Sequence, residues 1–163
     1  MPYDSGVAFV RDANALRAAM AITADYLPTA GDFRNPSDYT PELSRRARGV
    51  DIWAALRTLG KSGVAEMIER CCRHAQRFAQ ALQAAGCTIL NDVVLNQVLV
   101  SFGDAAVTRS VIAALQAEGT LWCGPTVWQS KAAARISVSS WATTDEDVTM
   151  SVEAILRVWK SCR

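Results

Sequence analysis

The sequence predicts an α/β protein whose second half is a small α+β module. Three observations predict it. Apolar residues recur at i, i+3, i+4 from Val64 to Leu82, the mark of an amphipathic helix. From Cys87 onward, short apolar runs alternate with two further helical patterns, giving the order strand-strand-helix-strand-strand-helix. Ahead of both, Ala24 to Leu43 carries Pro28, Gly31, Pro36 and Pro41 without any periodicity and reads as one long loop, functional or mobile by its length.

The first element is Val7 to Val10, between Gly6 and Arg11, which reads as a short buried strand. Asp12 is placed to cap a helix from Ala13 to about Ala21. Ser44 is placed to cap a helix through Val50, Trp53, Ala54 and Leu56, ending at Leu59-Gly60. The strongest helical stripe comes next, through Val64, Met67, Ile68, Cys71, Ala75, Phe78, Ala79 and Leu82. Arg70, Arg73 and Arg77 decorate its other side, and Gly86 stops it. Cys87 to Leu90 and Gln97 to Phe102 read as strands. Asp104 caps a helix through Val107, Val111, Ile112 and Leu115 to Gly119. Thr120 to Cys123 is the expected third strand, and Arg135 to Ser139, alternating Ile136 and Val138 with polar residues, the fourth. Thr144 with Asp147 forms an acidic capping box at the start of a last helix through Val148, Val152, Ile155, Leu156 and Trp159.

At 163 residues the chain is long enough to bury a core, as one large domain or two small ones. A net charge of +1 offers no field for nucleic acid or a membrane surface. No apolar run approaches the ~20 residues of a membrane helix. Five cysteines without a C-x-x-C pair indicate neither zinc nor a dithiol redox motif. Their odd number, with no secretory leader, points to reduced, structural thiols and a cytoplasmic location.

Few residues suggest chemistry unaided. His74 sits among arginines with no nucleophile spaced near it, so a solvated or salt-bridged role is expected. Asp145-Glu146-Asp147 suits a helix N-terminus better than a metal. Gly60-Lys61-Ser62 has the end of a phosphate loop without its earlier glycine, since position 55 is Ala55. Asn96-Gln97 and Cys123-Gly-Pro125 read as turns.

Four segments together carry a resemblance to a known family. Met1 to Arg11, Met-Pro-Tyr-Asp-Ser-Gly-Val-Ala-Phe-Val-Arg, is similar to the stretch directly after the His-Lys-Trp run of the pyridoxal-phosphate-dependent amino-acid decarboxylases of group II, which include the aromatic-amino-acid and glutamate decarboxylases. Thr23-Ala-Asp-Tyr-Leu27 resembles the start of that family's mobile loop. Pro41-Glu-Leu-Ser-Arg-Arg-Ala-Arg48, with Trp53, Leu56 and Gly60 after it, is the most specific internal match. Ala134-Arg-Ile-Ser-Val-Ser-Ser140 resembles the penultimate strand of the family's small domain.

The resemblance implies the carboxy-terminal portion of a fold-type-I pyridoxal-phosphate transferase-like fold. Residues 1–43 would end the large cofactor domain, 44–86 would be bridging helices, and 87–163 would be the small α+β domain. It implies loss of the α-carboxylate of an L-amino acid with pyridoxal 5'-phosphate as cofactor. Tyr26 would be the catalytic proton donor, Arg135 would bind the substrate carboxylate, and Ser44 would lie near the cofactor phosphate at the dimer interface. The Schiff-base lysine, the ring-stacking histidine and the ring-nitrogen aspartate would all precede Met1; Lys61 and Lys131 lie in the wrong segments to replace the lysine. The chain alone is therefore expected to be inactive. Its expected partners are an amino-acid substrate and either a second copy or an amino-terminal portion, with no nucleic acid and no membrane. Two alternatives are a non-catalytic dimerisation or interaction module and a pyridoxal-phosphate-dependent carbon-carbon lyase of the same fold. Without its sheet neighbours Val7 to Val10 would be an exposed edge, and self-association or poor order over the first ~40 residues is expected.

Overall fold

The computed structural model describes residues 4–22, 24, 26 and 34–163. The chain divides into two units, Met1–Gly60 and Lys61–Arg163.

In the first unit, α1 (Ala13–Met20) starts where the sequence places it, with the Asp12 carboxylate accepting from the Asn14 and Ala15 backbone N–H groups. Val7 to Val10 is not a strand. It is extended chain with exposed side chains, Phe9 at 96 %. A strand is defined by its ladder, and among the described residues nothing pairs with this run. Part of the expected loop is ordered instead as a 3-10 turn, Pro36–Tyr39, opened by Asn35. Asp38 is buried beneath it, accepting from Arg17 Nε at 3.1 Å and Asn35 Nδ2 at 3.2 Å. Arg34 lies 4.1 Å over the Tyr39 ring.

Helix α2 runs from Arg48 to Ala84 but is interrupted at Gly60, whose φ of 62° and ψ of −175° are not helical. Glycine takes that backbone at no steric cost, so the sequence break and the structural break coincide. The helix does not start at Ser44, which sits in an exposed bend four residues earlier. The first turn closes at Arg48 N–H to Arg46 O, 2.9 Å, and Val50 N–H to Ala47 O, 3.1 Å. Arg45, Arg46 and Ala47 are good helix formers, but no apolar residue there rewards an extra turn.

The second unit is an antiparallel sheet with helices packed on it. Its strands are β1 (Thr88–Ile89), β2 (Gln97–Ser101), β3 (Gly124–Trp128) and β4 (Lys131–Ser137), in the order β1-β2-β4-β3. Leu99 pairs with Arg135 across β2 and β4, and Gly124 pairs with Arg135 across β3 and β4. Alternation therefore sends Ala134 and Ile136 to one face and Lys131, Ala133, Arg135 and Ser137 to the other. The first face meets the buried side of α2 (Ala75, Phe78, Ala79, Leu82), of α3 (Ala105–Glu118) through Val111, Ile112 and Leu115, and of α4 (Asp145–Ser161) through Val148, Ile155 and Trp159.

Two expectations shift here. The third strand lies four residues later than Thr120 to Cys123, and Gly124 and Pro125 belong to it rather than to a turn. Pro125 fits because β3 is an edge strand, where a missing N–H is tolerated. The tight β3–β4 turn is made by Gln129 and Ser130, with φ of 46° and 65°. That conformation normally selects Asn-Gly, so the residue types do not announce the hairpin.

Local chemistry holds the unit together as the sequence predicts. Helix α2 ends at Gly86 (φ 95°), with Cys87 N–H bonded to Leu82 O and Gly86 N–H to Gln83 O, a Schellman cap. Asp104 caps α3, Gly119 ends it, and Thr144 with Asp147 forms the expected box on α4. Trp159 Nε1–H donates to Phe102 O at 2.8 Å while Phe102 N–H donates to Thr108 Oγ1 at 3.1 Å, so the end of β2 is tied to two helices. Among the described residues no helix is long and apolar enough to cross a membrane.

Candidate functional site

The sheet face opposite the one that packs on α2, α3 and α4 holds the most chemically capable residue of the second unit. Arg135 projects from the middle of β4 and is exposed. Its register neighbours are Leu99 on β2 and Gly124 on β3. Arg135 Nη2 stands 3.9 Å from where a Cβ on Gly124 would be, so the guanidinium extends over the glycine. Ala133 and Leu99 are buried on this same face, which leaves the charge on an apolar floor. Among the described residues Arg135 has no ion pair, so no salt bridge there accounts for its charge. A planar guanidinium held this way can take a carboxylate through two parallel hydrogen bonds. Ser137, two residues on, donates its hydroxyl to Gln97 Oε1 at 2.9 Å on the same face. Lys131 shares the face, but lies four residues away along β4, about 13 Å.

The other expected residues lie in the first unit. Tyr26 is 82 % exposed in a turn, and its phenol is accessible. Thr23, Asp25 and Leu27, the rest of that motif, lie outside the described residues, as do Met1 to Tyr3 of the first one. Ser44 is exposed, within a stretch dense in arginine. Arg46 pairs with Asp51 at 3.4 Å, and Arg48 with Asp4 at 2.6 Å. The Arg48 hydrogen bond holds the Asp4 carboxyl below the usual carboxylate range.

His74 meets one half of its expectation, a carboxylate partner, and not the other. It is not solvated but buried, with 3 % exposure. Its Nε2 lies 3.1 Å from Thr143 O, and its Nδ1 is 3.6 Å from Asp145 Oδ1, so an ion pair forms only if the ring is charged. Sequence reasoning missed Gly124, Leu99 and Gln97 as the surroundings of Arg135. Strand register brings them together, and no local motif encodes it.

Comparison with known proteins decides the family. The model of the pyridoxal-dependent decarboxylase conserved domain matches residues 1–103. The chain belongs to the pyridoxal-dependent decarboxylase family. It is 29 % identical over 154 residues to histidine decarboxylase from Drosophila melanogaster, covering 90 % of this chain and 18 % of that one. Its fold is similar to that of Oryza sativa TDC, solved with PLP and tryptamine, at a TM-score of 0.82 and 19 % identity over 93 % of this chain and 34 % of the other. It is also similar to Rhodiola rosea 4-hydroxyphenylacetaldehyde synthase, at 0.73 and 22 % identity over 91 % and 32 %. These likenesses establish a fold-type-I decarboxylase architecture for the part present. The chain spans about a third of the length of these structures and less of the curated relative.

Proposed function

We propose that this chain forms the carboxy-terminal share of an amino-acid decarboxylase active site, completed by a lysine-bearing portion or a second copy. The observation that carries the reading is Arg135, without an ion pair among the described residues, on the sheet face away from the core helices with Gly124 and Leu99 beside it. In this reading residues 1–43 close the large domain, 44–86 bridge, and 87–163 form the small domain.

The residues present fit one end of pyridoxal phosphate. A phosphate dianion suits the exposed backbone around Ser44 and the neighbouring Arg45, because arginine and peptide N–H groups are its usual partners. They do not supply a covalent anchor. Lys61 lies in α2, Lys131 at the β3–β4 turn and Lys160 in the last turn of α4. When bound, the cofactor supplies the electron sink that accepts the bonding pair as carbon dioxide leaves. Arg135 holds and orients the substrate carboxylate through two parallel N–H donors of its guanidinium. Tyr26 holds a proton at Oη and delivers it to the carbon that has lost its carboxylate, a task for a hydroxyl donor. The chain alone does not catalyse.

The test uses the polypeptide that carries this chain together with the lysine-bearing portion, supplied with pyridoxal phosphate and L-amino acids. Carbon dioxide and amine should both appear. Arg135→Lys should lower kcat/KM about 10- to 100-fold, mostly through KM, since a point charge replaces a bidentate fork. Tyr26→Phe should lower kcat with KM nearly unchanged. Unchanged kcat/KM in Arg135→Lys would remove Arg135 from the site. Aldehyde as the product in place of amine would favour the carbon-carbon lyase alternative, which the likeness to the Rhodiola rosea synthase keeps specific.

A further inference from the structure

Three side chains on one face of α2 reach three alternate carbonyls, two in the connector between β4 and α4 and one at the first residue of α4. Arg70 Nη2 donates to Trp141 O at 3.0 Å, His74 Nε2 lies 3.1 Å from Thr143 O, and Arg77 Nη1 donates to Asp145 O at 3.2 Å. Residues 70, 74 and 77 share one face of α2 because they are spaced four and three apart.

The middle rung can change its valence. A carbonyl only accepts, so His74 Nε2 must carry the hydrogen of the neutral ring and Nδ1 is a bare acceptor. Nδ1 is buried and has no hydrogen-bond partner. The atom across from it, Asp145 Oδ1 at 3.6 Å, is also an acceptor. A proton taken from solvent at Nδ1 turns this mismatch into a donor facing a carboxylate.

The charged groups around the ring come from two helices. On α2, Arg70 also pairs with Glu66 at 3.5 Å, and Arg77 engages the Asp145 carboxylate and Thr149 Oγ1. On α4, Asp145 faces the ring, while Asp147 is occupied by the Thr144 backbone N–H and hydroxyl. The sheet contributes apolar Val98 and Ile136, and the connector Val138, to the adjoining core. Both guanidiniums are therefore already engaged, and the Asp145 Oδ1 that faces Nδ1 is shared with Arg77 Nη1, with a second lone pair left for a proton on Nδ1.

We propose that His74 is a proton-operated clamp on the β4–α4 connector. The charged ring holds the connector at Thr143 O and at Asp145, and the neutral ring holds it at Thr143 O alone. The connector carries Ser139 and Trp141, which wall a cavity of about 260 Å³ together with Met67, Ile68, Cys71, Leu95 and Asn96. Acid stiffens that wall, and alkali loosens it.

The chain has a single histidine, so its imidazole nitrogen resonances need no assignment. The experiment records them on the full chain between about pH 5 and 8, with amide exchange of Ala142 to Asp145 corrected for intrinsic rates. The expected result is the Nε2–H tautomer on the alkaline side and a protection of these amides that rises by about fivefold or less on the acid side, the scale of a solvent-facing ion pair. His74→Gln can still donate to Thr143 O but cannot charge, so its protection should be flat with pH. Asp145→Asn removes the carboxylate facing Nδ1 and Arg77 at an exposed position and should be flat too, which keeps the test decisive if His74→Gln does not fold. An Nδ1–H tautomer, pH-independent protection in the unsubstituted chain, or a pH dependence surviving in either variant would overturn the clamp.

Discussion

A thiol in an apolar core stays protonated because the thiolate has lost its water. Burial pushes the Cys87 thiol up to about 11, and burial raises Cys123 in the same direction. Cys71, Cys72 and Cys162 are only partly buried, and all five are unbridged. Alkylation of the native chain at about pH 8 should therefore modify Cys71, Cys72 and Cys162 first. Cys87 and Cys123 should wait for unfolding, as peptide mass mapping over time would show. Equal rates at Cys87 and Cys162 would contradict the burial. A structural role for thiols was legible from the missing C-x-x-C pair, but which thiols are sealed was not. The same holds for His74, whose arginine neighbours left a solvated and a salt-bridged role both open. Its helix position is local information, whereas the connector that covers it comes from 69 residues downstream.

Helix ends were the most legible elements. Asp12, Asp104 and Thr144 cap as expected because each bonds N–H groups only two or three residues away. The α4 box gives a prediction with a sign. The Thr144 backbone N–H and hydroxyl hold the Asp147 carboxyl below its ordinary range. A depressed carboxyl stabilises the folded chain above its unfolded value, and that stability is lost as pH falls through the folded one. Thr144→Ala should cost about 1 kcal/mol at neutral pH by urea denaturation. Asp147→Asn should destabilise at neutral pH and converge with the unsubstituted chain in acid. A pH-independent deficit in Asp147→Asn would show that its charge is not what matters. Strands were less legible. Val7 to Val10 has strand composition but no ladder, and β3 has its ladder at Gly124 to Trp128, where Gly and Pro suggested a turn. Ser44 was misplaced for a related reason. Propensity permits an earlier start to α2, and nothing packs there to enforce it.

At the scale of the whole molecule, the second unit contains a closed core of four strands and three helical segments. Residues 61–163 expressed alone should show a cooperative urea transition of their own, with the exchange-protected amides concentrated in β2, β4 and α4. A non-cooperative, molten transition would mean that this core is incomplete without the rest. The first unit instead leaves an apolar stripe on α2 uncovered among the described residues, with Val50, Trp53, Leu56 and Leu59 exposed. The sequence marked that stripe by its period but not what covers it. By itself, the sequence determined the family, the α+β order of the second half, the caps, and the residues worth testing, Tyr26, Ser44 and Arg135. All of these rest on residue types or on bonds spanning a few positions. Only the tertiary structure decided that β4 lies between β2 and β3, that Arg135 leaves by the sheet face away from the core helices over Gly124, and that His74 is sealed under the connector. Those depend on which distant segments meet, and the free energy of that choice belongs to the packed core rather than to any local run of residues.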